Sequence, residues 1–390
     1  MRRYHPGPDF RHAHSIAELA AMAQQRLPNF AWEYLAGGAE EEITLARNRQ
    51  AFADIRLLPH TLVPCTGADT RRTLFGQDLP LPMAIGPTGY NAMLYRDADL
   101  HLARAATERG LPFTLSTVST SSLEQVVAAV PEVNLWFQLY CLRDPQIQED
   151  LLQRASAVGC KTLLLTSDAV LLGNREWDKR NFARPRQLSL RNKLDVLRHP
   201  RWLRQALWPQ GMPTLATIER YLPVDQRNAS GGAHFMGAQM DTGLDWDALA
   251  RLRDRWQQRL LLKGVLHPAD AEKAVSLGLD GIVISNHGGR QLDGVPASLD
   301  CLPAIAAVAK GKLALLLDGG IRRGTDILKA CALGADAVLL GRATLYGVAV
   351  GGQAGAGHAL DLLTNELRLA LALLGQPRLD ALHSTSFTVS

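Results

Sequence analysis

Gly281-Ile282-Val283-Ile284-Ser285-Asn286-His287-Gly288-Gly289-Arg290-Gln291 is the stretch whose reading decides the fold. It opens on an apolar, β-branched run that reads as a buried strand. Polar chemistry follows at once. A histidine and an arginine stand just past the strand's C-terminal end, among glycines that let a ligand approach the backbone. His287 can exchange a proton near neutral pH. Arg290 can fork onto a carboxylate. A base beside a carboxylate clamp suits chemistry at the carbon next to a carboxylate. A polar loop whose His and Arg only satisfy local backbone groups would carry the same letters, so the rest of the chain has to decide.

Working outward, the same unit recurs. Short apolar runs lie at Leu81–Ile85, Pro112–Ser116, Leu135–Tyr140, Thr162–Thr166, Leu260–Val265, Gly281–Ser285, Leu313–Asp318 and Ala337–Gly341. Helix-period segments such as Ala98–Gly110, Ser121–Val130 and Ala269–Gly278 separate them. Strand and helix repeated eight times is the pattern of an α/β (β/α)8 TIM barrel. The expectation is one domain over 1–390. It has an N-terminal helical extension over 1–60, a barrel over 80–375 and a long insertion after strand 4, about 182–240. Ser15–Arg26 reads as a helix with a Ser cap and Glu18 three residues on. The glycine-dense Val350–Gly357 reads as a loop into a last helix, Leu360–Leu374.

The bulk numbers narrow the classes. The chain has 390 residues, 47% hydrophobic and 21% charged, ordinary for a globular protein with a full core. A net charge of +4 is too weak to argue for nucleic acid. Five scattered cysteines with no C-x-x-C pair suggest a reducing compartment, no disulfide framework and no zinc site. The N-terminus has two arginines but no apolar core after them, and no apolar run is long enough to span a bilayer.

Barrels of this kind carry chemistry on the loops after their strands. Alternation puts Gln138 and Tyr140 on one face at the end of strand 3, where interior polar groups are costly unless hydrogen-bonded. Strand 4 ends Thr166-Ser167-Asp168 with the same period. Lys263 ends strand 5, and burying its ammonium needs a paired anion. Glycine-rich loops follow strands 7 (Asp318 to Asp326) and 8 (Leu340-Gly341-Arg342), where many such barrels hold a phosphate. G-x-G-x-x-G in a strand-to-helix setting is missing, which speaks against a Rossmann dinucleotide site.

The heptapeptide Ser285–Gln291, with these motifs in order, resembles the FMN-dependent α-hydroxy acid dehydrogenases and oxidases from about Leu27 to the C-terminal helix. The resemblance implies FMN as cofactor and oxidation of an (S)-2-hydroxy acid to the 2-oxo acid. His287 is then the base and Asp168 its carboxylate partner. Tyr34, Tyr140, Arg175 and Arg290 fall on substrate-binding positions. Pro87, Thr88, Gly89, Ser116, Gln138, Thr166, Lys263, Ser285, Asp318, Gly320, Arg322, Gly341 and Arg342 fall on cofactor-binding positions. Gly89 stands where many oxidases have Ala, which leans to a dehydrogenase. Val118 stands where short-chain oxidases often have Trp, which leaves room for a bulkier, mandelate-type substrate.

The insertion is basic. Arg184, Arg186, Arg191, Lys193, Arg198, Arg201 and Arg204 outnumber the single acid Asp195 before Trp208, with Leu194, Leu197, Trp202, Leu203 and Leu207 interleaved. Such a stretch suits a membrane interface through about 184–208, and a mobile lid with a solvated basic face equally. The membrane reading makes a quinone the electron acceptor and places the protein in the cytoplasm, peripheral on the inner membrane face. The resemblance also implies a homotetramer; no nucleic-acid partner is expected, since no stacking platform accompanies the patch. The rival readings are an L-lactate dehydrogenase, an oxidase giving hydrogen peroxide, an FMN-dependent isomerase on a similar barrel, and a non-catalytic phosphate-binding barrel with a membrane-binding lid.

Overall fold

The computed structural model describes residues 7–65, 67–184, 187–209, 211–382 and 387–389. Eight parallel strands close into a barrel: β1 Met83–Ile85, β2 Phe113–Ser116, β3 Leu135–Tyr140, β4 Thr162–Thr166, β5 Arg259–Val265, β6 Gly281–Ile284, β7 Ala314–Leu317 and β8 Ala337–Leu340. Their order around the barrel is their order in the chain. All eight coincide with the runs read from the sequence, to within two residues at each end.

Alternation along each strand sorts the core into two layers. Leu163, Leu165, Leu260, Leu262, Ile282 and Ile284 look outward into the cluster shared with the helices. Ala84, Trp136, Leu164, Leu261, Val283, Leu316 and Leu339 fill the interior. A hairpin, Arg72–Leu74 paired with Gln77–Leu79, adds Leu74 and Leu79 to that interior cluster. Its Phe75 meets Trp136 edge-on at 6.1 Å and closes the N-terminal end of the barrel.

Three helices precede the barrel: α1 Ile16–Arg26, α2 Asn29–Ala36 and α3 Ile43–Asp54. The Ser15 side chain accepts from the Glu18 N–H, the expected cap. Outer helices follow as α4 Ala98–Thr107, α5 Leu123–Ala129 and α6 Pro145–Ala157. After β4 come α7 Glu176–Arg180, α8 Leu190–Leu197, α9 Pro200–Trp202 and α10 Ala229–Gln239. The circuit resumes with α11 Trp246–Arg255, α12 Pro268–Ser276, α13 Ser298–Ala309, α14 Gly324–Ala332 and α15 Arg342–Leu374.

Two expectations need correction. Val350–Gly357 is not a loop, because α15 runs through it with one non-helical residue, Gly352 at φ 57° and ψ −135°. The glycines serve packing instead. A Cβ on Gly355 would lie 2.1 Å from the Gly347 carbonyl oxygen, so the two halves of α15 cross where no side chain fits. The insertion's apolar residues do not share one outward face either. Trp202 is 1% exposed, donates from Nε1 to the Met93 carbonyl at 2.8 Å and meets Phe30 edge-on. Leu203 and Leu207 pack against the core. Leu190, Leu194, Leu197 and Trp208 are the exposed ones. Arg186 and the Arg184 side chain lie outside the described residues.

Candidate active site

The top of the barrel interior is a polar layer, and strand period explains it. Two residues beyond interior Trp136, Leu164, Leu261, Val283, Leu316 and Leu339 come Gln138, Thr166, Lys263, Ser285, Asp318 and Gly341. Ser116 joins them from β2, where its Cα pairs in register with Gln138. Tyr140 pairs with Thr166, and Thr166 with Lys263. Register therefore fixes neighbours that the sequence separates by over 20 residues.

Hydrogen bonds tie the layer together. Ser116 Oγ donates to Gln138 Oε1 at 2.8 Å, and Gln138 Nε2 donates to Thr166 Oγ1 at 3.0 Å. Lys263 Nζ donates to Ser285 Oγ at 2.7 Å and pairs with Asp318 at 2.8 Å. Burial works against the Lys263 ammonium, but Asp318 and Asp168 outweigh it and hold its pKa above the ordinary lysine value. A permanent cation thus sits in the floor of the site.

His287 adopts φ 58°, rare for a side chain other than glycine. Its N–H donates to Ser285 Oγ at 3.0 Å, and Nδ1 meets Asp168 Oδ1 at 3.0 Å. Burial raises the Asp168 pKa, but the charges of His287 and Lys263 bring it below the ordinary carboxylate value. Asp168 has its place because β5 bulges at Gly264, φ 108°, where a Cβ would lie 2.7 Å from Asp168 Cβ and Cγ. Burial first, and Asp168 second, push the Tyr140 hydroxyl up to about 12. It stays a neutral donor beside Arg175, Lys263 and Tyr34.

The arginines have a second job that the sequence did not show. Arg290 Nη1 donates to the Tyr34 and Gly37 carbonyls, both at 2.8 Å. Arg342 reaches the Leu35, Gly288 and Gly37 carbonyls at 3.0, 2.9 and 2.7 Å. Two cations therefore satisfy the open C-terminal carbonyls of α2. Arg175 Nε donates to the Arg290 carbonyl at 3.2 Å. The Tyr34 hydroxyl is not at the surface: it donates to the Gly89 carbonyl at 3.1 Å, and Arg290 stacks 5.2 Å above its ring. Arg322 stacks on Tyr346 at 5.4 Å.

Two bracing residues, Asn48 and Asp99, carried no sequence signal. Asn48 of α3 and Asn286 exchange amide hydrogen bonds at 2.9 and 2.8 Å across 238 residues. The Asn48 carbonyl also lies where a Cβ on Gly320 would be, so α3 wedges between the loops after β6 and β7. Asp293 accepts from the Ile43 and Thr44 N–H groups at the start of α3. Buried Asp99 accepts from Asn91 Nδ2 at 2.7 Å and from the Thr120 N–H and hydroxyl at 3.0 and 2.7 Å. Asn91 in turn donates to Thr88 Oγ1 at 2.8 Å. One carboxylate thereby joins the loops after β1 and β2.

The site fits a flavin mononucleotide. Burial and then Arg290 lower the Arg342 pKa to about 9, with Arg322 and Arg175 acting the same way. A cluster of cations at the glycine loops calls for an anion, and a phosphate meets it. A Cβ on Gly341 would touch nothing nearer than Thr88 Cγ2 at 3.8 Å, which leaves open space at the end of β8 for that group. Among the described residues, Asp168 Oδ2 and Asp318 Oδ1 are buried with no hydrogen-bond partner.

Residues 23–389 match the family described as FMN-dependent dehydrogenase. The chain belongs to that family. The L-lactate dehydrogenase of Alcaligenes faecalis is 41% identical over 365 residues, 92% of this chain and 94% of that one. A crystal structure of the monotopic membrane protein (S)-mandelate dehydrogenase superposes with a TM-score of 0.92 at 38% identity, over 97% of this chain and all of that one. Mandelate oxidase superposes at 0.81 with 34% identity, over 97% and 98%. The protein is an FMN-dependent 2-hydroxy acid dehydrogenase on a (β/α)8 barrel. Among the described residues no helix is long and apolar enough to cross a membrane, and no group of His, Cys, Asp or Glu is arranged to hold a metal.

Proposed function

We propose that this chain oxidises an (S)-2-hydroxy acid with a bulky, mandelate-like side group and passes the electrons to a membrane quinone. The observation that carries the reaction is the His287–Asp168 pair at 3.0 Å, at the barrel end where Tyr140 and the arginines converge. FMN, when bound, supplies a two-electron acceptor. Ser116, Gln138, Thr166, Lys263 and Ser285 would face its ring, along the backbone of Pro87, Thr88 and Gly89. Backbone N–H groups of the loops after β7 and β8, with Arg342, would hold its phosphate, and Asp318, Gly320, Arg322 and Gly341 are the further cofactor-binding positions on those loops. Arg290 and Arg175 bind the substrate carboxylate, and Tyr34 and Tyr140 its carboxylate or hydroxyl. Asp168 engages His287 Nδ1, so Nε2 is the atom that takes the substrate's proton, and the carboxylate stabilises the imidazolium that results.

The preference for a bulky acid rests on Gly89 and Val118. A Cβ at Gly89 would come within 2.6 Å of Val118 Cγ2, so the two small residues share one space. The quinone reading rests on α8. Its Leu190, Leu194 and Leu197, at i, i+4 and i+7, are 73%, 55% and 69% exposed. Its other face, Asn192 and Asp195, bonds to Asn181 and to the Asn29 N–H. An ordinary surface helix turns its apolar stripe inward; this one turns it outward, with Arg191 and Lys193 beside it. That suits a peripheral helix lying in the interface of an anionic membrane, the inner face of the cell membrane in this reading. A homotetramer follows from the family resemblance, and particle mass in solution tests it. The same reading takes 1–390 as one functional unit.

The test is anaerobic. (S)-Mandelate should bleach the bound flavin fast and (S)-lactate slowly, with recovery quick on adding a quinone and slow in air. Fast bleaching by lactate alone favours the second reading, an L-lactate dehydrogenase, which the 41% identical relative supports. Peroxide formed at the turnover rate would favour an oxidase.

A further inference from the structure

Gln291 follows Arg290 in the loop after β6, and its buried side chain reaches across to the loop after β4. Nε2 donates to the Asp168 carbonyl at 3.0 Å and to the Leu171 carbonyl at 2.7 Å. Oε1 accepts from the Gly173 N–H at 3.0 Å and from Arg175 Nη2 at 3.4 Å. One amide thus spends its two donors and both lone pairs on a single partner loop. Asparagine is a carbon shorter, glutamate has no donor and lysine no acceptor, so no other natural side chain offers that set at that length.

The loop after β4 has little else to hold it. Leu171 and Leu172 are exposed, and between Asp168 and Arg175 only Ala169 is buried. It lies backbone to backbone on the loop after β6: a Cβ on Gly173 would come 2.3 Å from the Arg290 carbonyl oxygen and 2.7 Å from Gln291 Cα. Hydrogen bonds rather than side-chain packing therefore fix its two ends. One end is Asp168, gripped twice from the loop after β6, at its carboxylate by His287 and at its carbonyl by Gln291. The other end is Arg175, near enough to the site that its charge acts on the Tyr140 hydroxyl.

We propose that Gln291 is a positioning residue that sets Asp168 behind the base and Arg175 at the substrate carboxylate as one unit. It acts through those two residues and does not touch the substrate. The proposal rests on Arg175 binding the substrate carboxylate and on His287, backed by Asp168, as the base.

The test is a pair of double-mutant cycles on the flavin-loaded protein. The readout is anaerobic stopped-flow bleaching with the faster of (S)-mandelate and (S)-lactate at varied concentration. Misplacing reacting groups by about an ångström costs roughly 100-fold. Gln291→Met keeps the volume and removes all four bonds, so it should lose about that much in kcat/KM, shared between a higher KM and a lower kcat. In an Arg175→Met background the same change should raise KM no further and still lower kcat. In an Asp168→Asn background it should lower kcat little further and still raise KM. Losses that multiply in both backgrounds would overturn the proposal, because Gln291 would then act independently of both partners. So would wild-type kcat and KM in Gln291→Met with its FMN bound. If Gln291→Met does not retain FMN, Gln291→Glu carries the test. It keeps the acceptor that Gly173 and Arg175 use and lacks the two donors, so it should lower kcat and change KM less; the opposite split would overturn the proposal. Arg175→Met with a wild-type KM would instead refute Arg175 as the carboxylate ligand, a separate failure that leaves the Asp168 cycle to decide the role of Gln291.

Discussion

Replacing Asp168 with Asn keeps the shape of the site and removes one charge. Asp168 Oδ1 lies 3.0 Å from His287 Nδ1, and both side chains are mostly buried. Two unit charges at that separation attract by about 5 kcal/mol at an effective dielectric constant of roughly 20. Part of this is already spent on Lys263, whose charge also acts on Asp168. An amide keeps a dipole toward the ring. The loss of imidazolium stabilisation should therefore be about 2–4 kcal/mol, or roughly 30- to 900-fold in rate. It should fall on kcat rather than on KM, because the charge matters only once His287 carries the proton. The assay is stopped-flow bleaching of the flavin under anaerobic conditions with saturating (S)-mandelate. A variant that keeps its FMN and bleaches within threefold of wild type would refute the pairing as a source of rate.

Other outcomes follow from the same geometry. Because the Asp168 pKa is lowered from 3.8 in the folded state, its stabilising contribution is complete above that value and fades as pH falls below it; acid unfolding of wild type and Asp168→Asn should converge at low pH. Gly264→Ala puts a Cβ 2.7 Å from Asp168 at φ 108°; backbone strain of about 1–3 kcal/mol and a displaced His287 should lower both the midpoint of unfolding and kcat. Gly89→Ala should raise KM for mandelate more than for lactate, and adding Val118→Ala should restore it, since the 2.6 Å contact is the cause. Lys263→Met strands Asp318 and should destabilise by about 3–5 kcal/mol in denaturant titration; adding Asp318→Leu should recover most of that stability.

How far the sequence carries is clearest at the strand ends. Leu164 to Thr166 and Leu261 to Lys263 keep their period while changing from apolar to polar, so both the barrel and its polar layer are legible in the sequence. The Asn48–Asn286 pair was not, because Asn48 interrupts no local pattern and only α3 docking brings it to Asn286. Asp99 was hidden in the same way, as one more acid on an amphipathic helix. Val350–Gly357 misled because glycine density marks loops and also marks close helix contacts, and only packing tells them apart. Trp202 misled because mixed basic and aromatic letters do not say which side faces the protein.

The hairpin that seats Phe75 against Trp136 shapes the traffic of the molecule. With the N-terminal end sealed by packed rings, whatever meets Lys263 and His287 arrives over the opposite rim. Reductant and oxidant then share one doorway. Catalysis becomes a matter of queueing, in which the departing oxo acid sets how soon the next partner is admitted.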